Sequence, residues 1–361
     1  MRILWFNHRD IRHPMAGGAE RTIYEVGRRL VAGGCEMHLA SVNLGNLFKE
    51  EILEDIIIHR SAGNIRAHLM VPAMITKVKP DVIIDDVAHA APWLSSWFSD
   101  LPGTVFFHHL HARTLKGQVS RPMAAILAWM EKQYPRFYRS WPFVTESESS
   151  ESDLENMGIE SSRITRIPPG VDTDLFHPRP KTKKPTLVYF GGMRPYKRPE
   201  HALIVLKLLL KKGYDVTLTM VGDGPSFGFV NSFSRELNLD DHVIFTGKLD
   251  NDSLSETIAQ SWVNIHCSLT EGWGFSTMEA AACGTPTVAY NVPGLSNSVI
   301  EDKTGMLADD GDATALSSKI EKIFNEGRQW TTSCRSFAEM YSWKNTATLW
   351  ETHLKRVTSM F

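Results

Sequence analysis

At 361 residues the chain is long enough for two ordinary domains rather than one small core. Its 42% hydrophobic and 22% charged residues are those of a globular protein. With 39 Lys plus Arg against 41 Asp plus Glu, it carries no overall basic field to attract nucleic acid.

From the start, Ile3–Phe6 reads as a first strand rather than a signal peptide, because the apolar run ends in charge by Arg9. Ala19–Ala32 follows as a helix closed by Gly33-Gly34, then strands at Met37–Ser41, Val82–Asp85, Thr104–Phe107, Phe143–Thr145 and Ile164–Ile167. A helix at Ser149–Met157 is closed by Gly158. Lys181-Thr-Lys-Lys-Pro185 is a polar break that predicts a linker. Beyond it the rhythm restarts with strands at Leu187–Phe190, Val216–Val221, Val243–Thr246, Val263–Cys267 and Thr287–Ala289. Alternation of this kind predicts βα units on parallel sheets and two Rossmann-like domains facing one another across a cleft. The four cysteines, Cys35, Cys267, Cys283 and Cys334, have no CxxC spacing, which favours a reducing cytosol over a disulfide framework. No window approaches the roughly 20 apolar residues that span a bilayer.

Ligands in open α/β sheets bind beyond the carboxyl ends of strands, where helix N-termini offer N–H groups. After Val263–Cys267 the loop runs through Glu271, Gly272, Trp273, Gly274 and Phe275 into a helix at Ser276–Cys283. The two glycines allow close approach to a phosphate, Glu271 suits sugar hydroxyls, and Glu279 suits a ribose diol. Ser276-Thr277-Met278-Glu279 fits a capping box equally well. The loop after Leu187–Phe190 brings Arg194 and Lys197 behind a glycine pair, which suits a diphosphate or a solvated turn. Gly17-Gly18 precede the first helix and suit a phosphate, an acceptor or a tight turn. His108 ends the strand Thr104–Phe107, where it faces the expected crevice and can bond a sugar or move a proton. Asp172-Thr-Asp174 and Asp250-Asn-Asp252 read as a hinge and as a helix cap at Asp252, so no metal site is expected. Gly222-Asp-Gly224-Pro-Ser-Phe-Gly228 misses the dinucleotide fingerprint.

In this order the motifs resemble the family-4 retaining glycosyltransferases of the GT-B fold. Gly17-Gly-Ala-Glu20 is similar to the family's N-terminal glycine loop, and Ile167–Pro178 to its inter-domain connector. Glu271 through Glu279 is similar to its E-x7-E motif, continued by Gly284-Thr-Pro-Thr-Val288. The likeness covers nearly the whole chain.

It implies an acceptor-side domain at 1–168 and a nucleotide-sugar domain at 169–342, with a last helix near 343–361 crossing back. It implies that Glu271 contacts the donor sugar and the Gly272–Thr277 backbone, Ser276 included, contacts the phosphates. Glu279 would hold the ribose, Lys197 the diphosphate, and His108 would stand by the donor sugar. No cofactor beyond the nucleotide-diphosphate sugar is implied. The family usually carries an Arg where this chain has Gly192, and Arg194 is the candidate replacement. A sugar-nucleotide epimerase or a glycosidic phosphorylase shares the fold, and a nicotinamide-dependent dehydrogenase is disfavoured by the missing fingerprint. The acceptor is open. Ala128–Trp141 mixes aromatics with Arg and Lys, and suits either peripheral contact at the inner membrane face or an amphipathic core helix.

Overall fold

A computed structural model describes residues 1–14, 16–43, 47–115, 119–326 and 330–360. The chain divides into two compact units. Met1–Gly170 together with Trp343–Phe361 form one, and Val171–Ser342 form the other.

The first unit runs β1 (Arg2–Phe6), α1 (Gly18–Ala32), β2 (Glu36–Asn43), β3 (Glu50–Leu53) and β4 (Ile56–Ala62). It continues through α2 (Asn64–Leu69), α3 (Val71–Val78), β5 (Val82–Asp86), β6 (Gly103–Phe107), α4 (Arg121–Glu131) and α5 (Tyr134–Phe137). The last of its elements before the second unit are β7 (Phe143–Thr145), α6 (Glu148–Asn156) and β8 (Ile164–Arg166). Its eight-stranded sheet has the order β3-β4-β2-β1-β5-β6-β7-β8, parallel except for the β3–β4 pair. Central strands are apolar on both faces, as a sheet covered on both sides requires.

Sequence reading missed β3 and β4. The hairpin turns at Glu54 and Asp55, which take φ of 45° and 62° without the glycine or asparagine that normally marks such a turn. The last helix of the chain, Trp343–Met360, belongs to this unit. Its Trp350 lies 4.9 Å from the Trp5 ring and 5.1 Å from Phe106, and His353 Nε2 lies 3.0 Å from Thr104 Oγ1. Phe361, within the helix expected near 343–361, lies outside the described residues.

The second unit runs β9 (Thr186–Phe190), α7 (Pro199–Lys211), β10 (Thr217–Val221), α8 (Phe227–Glu236), β11 (Val243–Gly247) and α9 (Asn251–Gln260). Then come β12 (Val263–His266), α10 (Phe275–Ala282), β13 (Thr287–Tyr290), α11 (Leu295–Ser298), β14 (Gly305–Ala308), α12 (Ala313–Asn325) and α13 (Trp330–Glu339). Its parallel sheet has the order β11-β10-β9-β12-β13-β14. The order reverses between β9 and β12, which makes the carboxyl ends of these two strands the switch point where open α/β sheets bind ligands.

The expected linker at 181–185 is part of this unit. Lys181 Nζ donates to Thr285 Oγ1 at 2.6 Å and to Ala259 O at 2.9 Å, and the Thr182 amide donates to Gln260 O. Lys181 and Thr182 are thus held against the unit, while Lys183 and Lys184 stay exposed.

Candidate active site

The switch point of the second sheet carries a charged pair. Lys197 closes the short turn after β9 and Glu271 lies in the loop after β12, with Lys197 Nζ 2.5 Å from Glu271 Oε1. The Leu269 amide donates to Tyr196 O at 2.8 Å, stapling the two loops together. Burial alone would lift the Glu271 carboxyl, but the Lys197 ammonium outweighs it and holds the group below its ordinary value. Burial would likewise lower Lys197, and Glu271 reverses it, so both are charged at neutral pH.

Two further groups approach the same carboxylate oxygen. Ser268 Oγ donates at 2.6 Å, and His266 Nε2 lies 3.7 Å away. Burial pushes the His266 ring down to about 4, so it is neutral. Arg198 braces the segment from below. It donates to Cys267 O at 2.7 Å and Ser268 O at 3.0 Å, pairs with Asp310, and lies 4.7 Å from the Tyr290 ring centroid.

Past Glu271 the chain turns into α10 at Gly274, whose φ of 95° suits glycine and where a Cβ would lie 2.9 Å from Ser298 Oγ. Gly294 serves the same fit from the other side, since a Cβ there would stand 2.2 Å from Glu271 O. The helix begins at Phe275, one residue earlier than expected, with Gly274 as its cap. Ser276 is therefore already helical and the capping box at Ser276–Glu279 does not form. Glu279 is buried in the helix, and Thr277 Oγ1 donates back to Gly274 O at 2.6 Å. Phe275 and Ser276 stay half-buried at the helix start, where backbone amides lack intrahelical partners. Gly272 is buried in the turn. The Trp273 side chain enters the core, 5.3 Å from the Tyr341 ring, which leaves only its backbone to a ligand.

Arg194 is half-buried beside Lys197. Its Nε lies 3.7 Å from where a Cβ on Gly192 would stand, so the Arg194 side chain covers the position at which the family's arginine would begin.

In the first unit, Gly17 caps α1 and Gly18 is its first residue. A Cβ on Gly17 would meet only the Glu20 carboxylate, at 3.7 Å, and that carboxylate accepts the Gly17 amide at 2.6 Å. The tight-turn reading of these glycines therefore has no steric support at Gly17. His108 departs from expectation. It is buried, with Nε2 at 2.9 Å from Asp86 Oδ1 and Nδ1 at 3.3 Å from Glu146 Oε2, so neither ring nitrogen is offered to a substrate. Burial would lower this ring, but the two carboxylates raise it well above its ordinary value and keep it protonated. Trp5 Nε1 and Thr22 Oγ1 bond the same carboxylates at 3.4 and 3.5 Å, so the cluster ties β1, α1, β5 and β6 together.

Neither D-x-D pair gathers ligands. Asp172 accepts the amides of Asp174 and Leu175, and Asp250, not Asp252, caps α9 through Ser253. Among the described residues no group of three His, Cys, Asp or Glu is arranged for a metal ion. Ser268, His266, Asp86 and Glu146 were not singled out from sequence. The available signal was polar residues, Asn264 and His266, on one face of an otherwise apolar strand.

Two α/β units, each built on a largely parallel sheet, are the architecture of GT-B glycosyltransferases. Residues 16–175 match the model described as Glycosyltransferase Family 4, and residues 171–339 that of Glycosyl transferases group 1. The chain belongs to the family-4 glycosyltransferases.

Glycogen synthase of Mycobacterium tuberculosis is 27% identical over 256 residues, which cover 67% of this chain and 60% of that protein. A GDP-mannose-dependent alpha-(1-6)-phosphatidylinositol monomannoside mannosyltransferase of Mycolicibacterium smegmatis is 28% identical over 47% of this chain and 49% of its own length. The chain thus spans about half to three fifths of these relatives. Among solved structures, sucrose-phosphate synthase from Thermosynechococcus elongatus superposes with TM-score 0.84 at 21% identity, over 100% of both chains. Anabaena HepE in complex with UDP and glucose gives 0.79 at 17% identity, over 99% of this chain and 100% of that one. At these identities the superpositions speak for the fold.

Proposed function

We propose that the chain moves a sugar from a nucleoside-diphosphate sugar to an acceptor hydroxyl with retention of anomeric configuration and without a metal. The observation that carries this reading is the Lys197–Glu271 pair, stapled at a switch point beside the start of α10. Lys197 and Arg194 supply cationic charge for the diphosphate, and the turn at Gly272–Thr277 supplies backbone amides and the helix dipole. Glu271 orients the donor sugar through its hydroxyls, and Glu279 holds the ribose. The acceptor hydroxyl attacks the anomeric carbon from the face the nucleotide leaves. The carbon–oxygen bond to the diphosphate breaks with its electrons on the nucleotide, whose phosphate oxygen takes the acceptor's proton. Cations aimed at the leaving group count most there, where charge develops. The second unit is the donor domain in this reading. The first carries the acceptor side, with the α1 start at Gly17-Gly18 as its contact and His108 as a fixed charged brace for the β6 loop.

Glu271→Ala and Lys197→Ala should each lower transfer by about 10²–10³-fold. Product analysis with UDP-, GDP- and ADP-sugars reads this, and unchanged transfer in both would overturn the site. The same products separate the alternatives. An epimerase changes the sugar while it stays on the nucleotide, and a phosphorylase needs inorganic phosphate.

The exposed side chains of α4 support a reading in which the acceptor lies at an anionic membrane surface. Met123, Ile126 and Trp129 stand exposed at successive turns of this helix, and Arg121, Lys132, Arg136 and Arg139 are exposed around it. Only Glu131 of α4 is buried, where it accepts the His111 and Ala112 amides. Tyr134, Tyr138 and Trp141 are core, so the core reading of the segment applies to its second half. Among the described residues no helix is long and apolar enough to cross a membrane. Vesicles containing phosphatidylglycerol should sediment the protein at low salt, and Trp129→Ser should weaken this severalfold. Equal sedimentation with phosphatidylcholine alone, or no effect of the variant, would remove the membrane.

A further inference from the structure

Three donors surround one oxygen of Glu271, and they differ in their freedom to leave. Lys197, at 2.5 Å, rides on a flexible stem and its side chain is 20% exposed. Ser268 is fully buried, and its carbonyl is held by Arg198. His266 is buried at the end of β12, in register with Ala289 of β13. If a diphosphate draws Lys197 away, Glu271 keeps its charge in a buried setting, where an unpaired carboxylate is costly. The two rigid neutral groups remain.

We infer that His266 is a positioning residue, closing its 3.7 Å gap to Glu271 when Lys197 engages the donor and holding the carboxylate toward the sugar. The inference rests on the reading of Glu271 as the group that orients the donor sugar. The neutral ring has one N–H to give, and the carboxylate beside Nε2 favours the tautomer that carries the proton there. Nδ1 has no hydrogen-bond partner among the described residues. A leucine would fill the same buried place without an orphaned nitrogen, so packing alone does not account for a histidine here. Asn264, two residues earlier on the same face, donates its amide to Thr287 Oγ1 at 3.1 Å and leaves Oδ1 without a hydrogen-bond partner among the described residues, and no carboxylate accounts for it. The polarity of His266 is directed at Glu271.

The test compares His266→Leu and His266→Gln with the parent, using UDP-glucose, GDP-mannose and ADP-glucose as probes and nucleotide release to water as the readout. Expected for His266→Leu is a loss in kcat of about ten- to hundredfold, the worth of a hydrogen bond to a charged group. KM for the donor, nucleoside-diphosphate affinity and Tm stay near the parent's, and His266→Gln recovers much of the lost kcat. Parent-like kcat in His266→Leu overturns the inference. So does a fall in nucleotide affinity and Tm in step with kcat, the mark of a structural residue. A parent that binds and cleaves none of the probes overturns the transferase reading itself, and the inference with it.

Discussion

His108 and His266 make an instructive pair. Both are buried, both stand at the carboxyl end of a parallel strand, and both lie beside carboxylates. Burial pushes each ring toward neutrality, yet they end in opposite states. His108 has Asp86 and Glu146 on its two nitrogens, with no competing cation in contact among the described residues, and keeps its proton. His266 has only Glu271, already matched by Lys197, and is neutral. Burial sets the His266 state and two carboxylates overcome it at His108, so local charge balance decides the difference between them and sorts the two sites. The first is a closed structural knot; the second is a pair that a ligand's charge can open.

The largest effect should follow from breaking the knot. Asp86→Ala leaves His108 with one partner and costs about 3–5 kcal/mol, the range for breaking a buried ion pair. Urea unfolding of parent and variant reads it directly, and a cost under 1 kcal/mol would count against the protonated ring. The pH profile sharpens the same point. Because His108 titrates well above 6.5 when folded, the stability it contributes is complete below 6.5 and is lost as pH rises through its folded value. Asp86→Ala should flatten that alkaline decline. At His266 the expectation is opposite and smaller: His266→Leu leaves the unfolding midpoint near the parent's while lowering turnover. If the two histidines respond alike, the contrast between knot and switch fails.

Much of the fold was legible because buried parallel strands advertise themselves as apolar runs, and Val82–Asp85 or Leu187–Phe190 could hardly be read otherwise. The β3–β4 hairpin was not, since its turn at Glu54 and Asp55 takes left-handed backbone without a glycine or asparagine. Lys181 was read as linker because charge suggests solvent, whereas its ammonium is held by Ala259 and Thr285. At the candidate site, Glu271 and Lys197 were visible as types of residue at strand ends. Their contact joins residues 74 apart, which only the sheet order reveals. His108 was misjudged for the same reason: its partners Asp86 and Glu146 come from β5 and the end of β7, and nothing local announces them.

The account turns on Lys197 exchanging Glu271 for a diphosphate. Calorimetric titration of UDP, GDP and ADP into the parent, Lys197→Met and Glu271→Gln tests this most directly. One nucleotide should bind the parent, bind Lys197→Met about ten- to hundredfold more weakly, as loss of a charge-assisted contact implies, and bind Glu271→Gln at least as tightly as the parent, because the lysine is then released from its partner. Binding by none of the three nucleotides, or undiminished binding by Lys197→Met, would contradict it.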